Sequence, residues 1–173
     1  AYDKGSIFLS QLQYIIGKES FDNTLKRYFE DWSFKHPKPN DFIRSAEKVS
    51  GLELDWYLLD WAQSTMTIDY SVNSLYGIDN KTRIVLKRIG QMGMPIDLRI
   101  KLKSGETLDY NIPMTKMRGS KSVKSSTLLK SWSWAKPYYD VWLDIDSKNI
   151  SKITIDPKNE MADIDRSNNY LVL

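Results

Sequence analysis

Residues 96–112, IDLRIKLKSGETLDYNI, are the part of the sequence that decides the fold. Every second residue of 96–102 is apolar and each residue between is charged, and the alternation resumes over residues 108–112. Strict alternation places the apolar side chains on one face of a strand. Ser104 and Gly105 supply a turn between the two runs. The stretch therefore predicts a β-hairpin with one buried face.

Similar alternation occurs on both sides of this hairpin. It covers residues 68–73, 83–89, 139–146 and 153–155, with no helical pattern between them. Six or seven short strands without intervening helices predict an antiparallel β-sandwich of immunoglobulin-like type over residues 65–173.

Residues 1–64 have a different period, because their apolar residues recur at helical spacing. About four short helices are predicted: from near Lys4 to Gly17, from an N-cap at Ser20 or Asp22 to Trp32, from an N-cap at Asn40 to Gly51, and from Asp55 to Ala62. Their buried faces are expected to include Leu25, Phe29 and Leu59. The chain is therefore predicted to be α+β, with a small N-terminal helical packet over residues 1–64 followed by the sandwich.

The composition limits the chemistry that this chain can perform alone. Hydrophobic residues make up 41% and charged residues 27% of the 173 residues, which is enough apolar content for a core. There is one histidine and no cysteine. Two-histidine metal sites, thiol nucleophiles and disulfide frameworks are therefore excluded within the chain. No apolar run reaches the roughly 20 residues of a transmembrane helix, so no membrane partner is expected.

The basic residues are concentrated in one segment rather than spread along a surface. Between Asp109 and Asp140 there are six basic residues and no acidic one: Lys116, Arg118, Lys121, Lys124, Lys130 and Lys136. The segment is rich in serine and is interpreted as a solvated loop. A nucleic-acid site would need a basic stripe interleaved with aromatic residues, so no nucleic-acid partner is expected.

The beginning of the chain carries a recognisable motif. Tyr2-Asp3-Lys4-Gly5, followed by an amphipathic helix ending in Ile-Ile-Gly, looks like the Y-x-K-G segment of the gluzincin zinc aminopeptidases, the aminopeptidase N family. The residues that continue the resemblance are Phe21, Leu25, Arg27, Tyr28, Trp32-Ser33-Phe34-Lys35-His36-Pro37, Asp41-Phe42, Ser50-Gly51-Leu52-Glu53-Leu54-Asp55-Trp56-Tyr57, Trp61, Ile153-Thr154-Ile155-Asp156-Pro157 and Ala162-Asp163-Ile164-Asp165-Arg166-Ser167-Asn168-Asn169. The motif alone is short, but the ordered series is specific.

The resemblance implies a catalytic role for Tyr2. In that family the tyrosine donates a hydrogen bond to the oxyanion of the tetrahedral intermediate, opposite the zinc. A phenol suits this task because its reference pKa near 10 keeps it a neutral donor at working pH. The resemblance also implies a peptide substrate.

Two motifs of the family do not occur in this chain. The H-E-x-x-H segment with its downstream glutamate, which supplies the zinc ligands and the general base, is missing, and so is the G-x-M-E-N segment that holds the substrate amine. Both lie upstream of Y-x-K-G in the family. We therefore expect a C-terminal fragment of a longer peptidase. It should not bind the parent's zinc or hydrolyse peptides, and the missing N-terminal catalytic region should be its intramolecular partner.

A different class of function stays open beside this one. A non-catalytic sandwich could recognise glycan or protein through a concave face formed by Trp132, Trp134, Tyr138, Tyr139 and Trp142. Core packing is the default interpretation of Trp132 and Trp134. His36 is expected to be a structural or solvated loop residue. Asp163-x-Asp165-x-Ser167 resembles the start of a calcium loop but lacks its later glycine and glutamate, so it is interpreted as a turn.

Overall fold

The computed structural model describes residues 2–123 and 125–173, without the side chain of Tyr2. Within that part, four α-helices come first: α1 Tyr2–Ile16, α2 Lys18–Trp32, α3 Pro39–Ser50 and α4 Asp55–Gln63. Gly17 and Gly51 separate helices with φ of 85° and 72°, a conformation that glycine adopts without strain. The four predicted helices are confirmed. None of the described helices is long and apolar enough to span a bilayer.

Two predicted helix starts are wrong. α2 begins at Lys18, directly after Gly17, so neither Ser20 nor Asp22 is its N-cap. α3 begins at Pro39 rather than after Asn40, since proline fits the first helical position, where its missing N–H would have no partner. The Asp41 carboxylate accepts a hydrogen bond from the Lys38 N–H at 2.7 Å and so caps the N-terminus of α3.

Three side chains that were predicted to be buried are exposed. Leu25 and Phe29 of α2 are 41% and 70% exposed, and Leu59 of α4 is 51% exposed. α2 packs mainly on α3 and α1 through a narrower face, on which Phe21 and Thr24 are buried. The apolar stripe of α2 is therefore wider than the surface that this chain covers.

Eight strands follow among the described residues: β1 Tyr70–Ile78, β2 Lys81–Arg88, β3 Ile96–Leu102, β4 Thr107–Ile112, β5 Thr127–Leu128, β6 Tyr138–Leu143, β7 Ile150–Ile155 and β8 Tyr170–Val172. They form a three-stranded sheet, β1-β2-β6, and a five-stranded sheet, β5-β4-β3-β7-β8. The predicted β3–β4 hairpin is present, and its register places Ile96 opposite Ile112. The helical packet followed by a sandwich is confirmed. One short pair, β4 with β5, is parallel.

The helices and sheets share their interior. Buried side chains of α1 and α4, among them Leu12 and Tyr57, belong to the same hydrophobic cluster as Ile96 and Ile153 of the five-stranded sheet. α4 ends at Gln63 and β1 begins at Tyr70, which brackets the boundary expected between residues 64 and 65. The division into domains 1–64 and 65–173 stays a prediction.

Candidate active-site segment

Helix α1 carries the Y-x-K-G motif in its first turn. The helix begins at Tyr2, whose side chain lies outside the described part of the structure. The next three residues, Asp3, Lys4 and Gly5, are exposed. The prediction that the Tyr2 phenol faces a reaction centre therefore stays a prediction, but the surroundings of its neighbours can be described.

An apolar groove of about 360 Å³ lies beside the motif. It is lined by residues of α1, α3 and α4: Lys4, Gly5, Phe8, Pro39, Phe42, Leu58, Trp61 and Ala62. The helical packet is thus open on the side that carries the motif. The indole Nε1 of Trp61 is buried and has no hydrogen-bond partner among the described residues.

Gly5 is a glycine that the packing of this chain does not require. Its φ is not in the left-handed region, and a Cβ placed on it would meet nothing within 4 Å. Glycine inside a helix costs about 1 kcal/mol relative to alanine. The residue therefore weakens α1 without a compensating contact among the described residues, and it leaves the helix backbone open to close approach from outside.

α4 holds the middle of α1. The ring of Phe8 lies 4.9 Å from that of Tyr57, centroid to centroid, and the Tyr57 hydroxyl donates a hydrogen bond to the Phe8 carbonyl. Tyr57 is fully buried, and this burial raises the pKa of its phenol far above the ordinary value. Tyr57 is therefore a neutral structural donor.

The sandwich holds the second half of α1 through two buried polar side chains. Gln11 donates from Nε2 to the Glu160 carbonyl at 2.8 Å and accepts at Oε1 from the Ala162 N–H at 3.0 Å. The Tyr14 hydroxyl donates to the Pro95 carbonyl at 3.1 Å and accepts from the Asp97 N–H at 3.2 Å. Each side chain thus satisfies backbone groups outside the helix.

Lys121 adds a charge to this contact. Its Nζ donates to the Asp97 carboxylate at 2.6 Å and to the Tyr14 carbonyl at 3.1 Å, and lies 4.4 Å from the Tyr14 ring centroid. The side chain is only 9% exposed. The expectation of a solvated basic loop is therefore wrong at this residue. α1 has no basic residue in its last turn, and Lys121 supplies the positive charge that a helix C-terminus favours.

A polar cleft of about 490 Å³ lies beside Lys121, between α1 and the five-stranded sheet. Four of its eight charged lining residues form two ion pairs: Arg99 Nε lies 2.7 Å from Asp109 Oδ1, and Lys121 Nζ lies 2.6 Å from Asp97 Oδ2. The Arg99 guanidinium holds the pKa of Asp109 below its ordinary value. These pairs stabilise the contact and leave no free charge of their own for a ligand.

The remaining candidate residues lie apart from the motif. His36 is exposed. The Asp163 carboxylate accepts hydrogen bonds from the N–H groups of Tyr70 and Asp165, both at 2.9 Å, which agrees with a turn rather than a cation loop. No group of three or more His, Cys, Asp or Glu within residues 2–123 and 125–173 could hold a metal ion.

The structure separates the aromatic residues that were considered for a binding face. Trp132 is buried against Tyr70, with ring centroids 5.5 Å apart. Trp134 is exposed and stacks under Lys116. Exposed Tyr138 and Trp142 share one face of β6. The core interpretation holds for Trp132 and is wrong for Trp134.

Three comparisons with known proteins place this geometry in context. The model of the peptidase family M1 domain matches residues 1–61. A solved structure, aminopeptidase A of Legionella pneumophila in complex with aspartic acid, superposes with a TM-score of 0.57 at 15% identity, over 88% of this chain and 16% of that chain. A likeness at this identity establishes the fold alone. A search of the curated proteins gave no match.

Proposed function

We propose that this chain functions as part of a zinc-dependent aminopeptidase that hydrolyses N-terminal peptide bonds, because the model of the peptidase family M1 domain matches residues 1–61, the region that begins with the Y-x-K-G motif. The metallopeptidase-family origin rests on that match, which is the observation that carries the proposal. The chain spans 16% of the length of the aminopeptidase it resembles in fold, so the activity belongs to the whole protein.

The residues of this chain do not fit the family's zinc. One histidine, no cysteine and no metal-holding group among the described residues leave the ion without ligands here. The zinc, its ligands and the general base therefore have to come from polypeptide other than this chain. The isolated chain is accordingly proposed to be inactive.

The open groove supports a second polypeptide segment as the natural partner of the helical packet. The lining is almost wholly apolar, with Lys4 as its one charged residue. Ile7 and Leu9, which are on the same helix but do not line the groove, are 41% and 40% exposed. Contiguous exposed apolar surface on a soluble protein marks an interaction site. We propose that the catalytic region carrying the zinc packs here, against the turn that contains Gly5.

Tyr2 is the residue of this chain that acts in the proposed reaction. Its hydroxyl donates a hydrogen bond to the carbonyl oxygen as that oxygen gains negative charge. Such a preplaced donor contributes on the order of 10²–10³ in rate. The exposed start of α1 would bring this donor to the interface with the catalytic region.

The complete protein encoded with this chain provides the test. It should hydrolyse aminoacyl-4-nitroanilides, and Tyr2→Phe should lower kcat by about 10²–10³ while KM changes little. Tyr170→Phe, an exposed tyrosine on β8, is the matched control and should retain activity. If the complete protein binds no zinc and cleaves no such substrate, the proposal is wrong. Glycan or protein binding through β6 would then be the function to test.

A further inference from the structure

We infer that Gln11, Tyr14 and Lys121 form a latch by which the β-sandwich positions Tyr2 for catalysis, an inference that rests on the proposed function. The latch comprises the hydrogen bonds that these three side chains make between α1 and the sandwich. Its members are positioning residues, since they lie in the second half of α1 and in the loop beside it.

The contacts of the latch fix the helix in more than one direction. Gln11 ties α1 to the segment around Glu160, and Tyr14 ties it to the start of β3. Lys121 joins the end of the helix to the Asp97 carboxylate, which in turn accepts a hydrogen bond from Asn111 at 2.7 Å. Gln11 and Tyr14 are 2% and 4% exposed, so water has little access to these side chains and does not compete for their hydrogen bonds.

Helix α1 itself connects the latch to the Y-x-K-G motif. Tyr14 follows Tyr2 by twelve residues in α1, which is about 18 Å along a helix axis. A change of about 3° in the direction of the axis at the latch therefore moves the first turn by about 1 Å. A displacement of that size at a reacting group can lower a rate by about 100-fold.

The start of the helix has fewer supports of its own. Asp3, Lys4, Gly5 and Ser6 are all exposed. The first described buried side chain of α1 is that of Gln11. Within this chain, the contacts that set the direction of the helix therefore begin at Phe8 and are made by α2, α4 and the latch.

A double-mutant cycle in the complete protein tests the latch. Lys121→Met should lower kcat about tenfold with little change in KM, because the phenol is displaced while the rest of the site is intact. In the Tyr2→Phe background the same substitution should lower kcat less than about twofold, since no hydroxyl remains to be positioned. Lys152→Met, which removes a half-buried lysine of β7 stacked on Tyr170, is the matched control.

The outcomes separate this inference from the proposed function. An inactive complete protein, or a Tyr2→Phe variant with wild-type kcat, contradicts the proposed function. An active protein in which Lys121→Met folds and retains kcat, or loses equally in both backgrounds, contradicts the latch alone. If Lys121→Met does not fold, Tyr14→Phe removes only the two hydroxyl bonds, and the same cycle decides.

Discussion

Replacing Gln11 by leucine should destabilise the helices and the sandwich together. The substitution keeps an apolar stem of similar size but leaves the Glu160 carbonyl and the Ala162 N–H without the partners that they have now. Both hydrogen bonds are partly buried, and each group left unpaired costs about 1–3 kcal/mol. The added apolar burial offsets about 1–2 kcal/mol. Two unpaired groups at about 2 kcal/mol each, less about 1.5 kcal/mol from the added burial, lower the free energy of unfolding of this chain by about 2.5 kcal/mol, a large part of a typical stability.

Urea unfolding combined with hydrogen exchange measures this effect region by region. The slowest amides of α1 and of β3 should lose the same protection free energy, because one hydrophobic cluster joins them. Gln13→Leu, in the same helix and without a side-chain hydrogen bond in the described structure, is the control and should change stability by less than about 0.5 kcal/mol. If the β3 amides keep wild-type protection while those of α1 lose it, residues 1–64 and 65–173 unfold independently and the reasoning is refuted.

Three further results are expected. Gly5→Ala should raise the free energy of unfolding of this chain by about 1 kcal/mol, measured as a higher urea midpoint. The same substitution should lower the activity of the complete protein, because the added methyl group obstructs the groove. Higher activity would contradict the proposed interface. Gly90→Ala should cost more than about 2 kcal/mol, because its Cβ would collide with the backbone of Thr67 and Asp69, and an unchanged melting temperature would show that this approach is not tight. Arg99 lowers the pKa of Asp109, so their pair stabilises the fold above the unfolded carboxyl pKa of about 3.9 and is lost as pH falls through the folded pKa. Arg99→Met should accordingly lose less stability on acidification than wild type, as measured by urea titrations at several pH values. If the two proteins lose the same stability, this ion pair does not contribute to the acid dependence.

Periodicity predicted most of the architecture because it reports which faces are buried. The alternation of residues 96–102 predicted the central hairpin and its buried face, and Gly17 and Gly51 predicted two helix ends. β5 and β8 were not predicted as strands, since two and three residues are too short for alternation to be recognised. Leu25 and Phe29 were misplaced for the opposite reason: their spacing is that of a buried stripe, but no described residue covers them.

The contact that matters most for the candidate site left no such pattern. Lys121 lies in a serine-rich basic segment, and nothing near it in sequence shows that its partners are Asp97 and the end of α1. A charged residue far along the chain can cap a helix without any periodic signal, because capping depends only on where the chain returns in space. The missing basic residue in the last turn of α1 was the available clue, since it leaves the helix C-terminus to be satisfied from elsewhere.

The two ends of α1 differ in a way that connects fold and function. Toward its C-terminus, Leu12 and Ile15 are fully buried, and Gln11 and Tyr14 are hydrogen-bonded to the sandwich. Toward its N-terminus the helix is exposed and carries a glycine that this chain does not need. A helix is stiff over 15 residues, so the direction of its free end follows from the contacts of its fixed end. In a peptidase that uses Tyr2, the sandwich would therefore contribute to the rate by holding this helix in position.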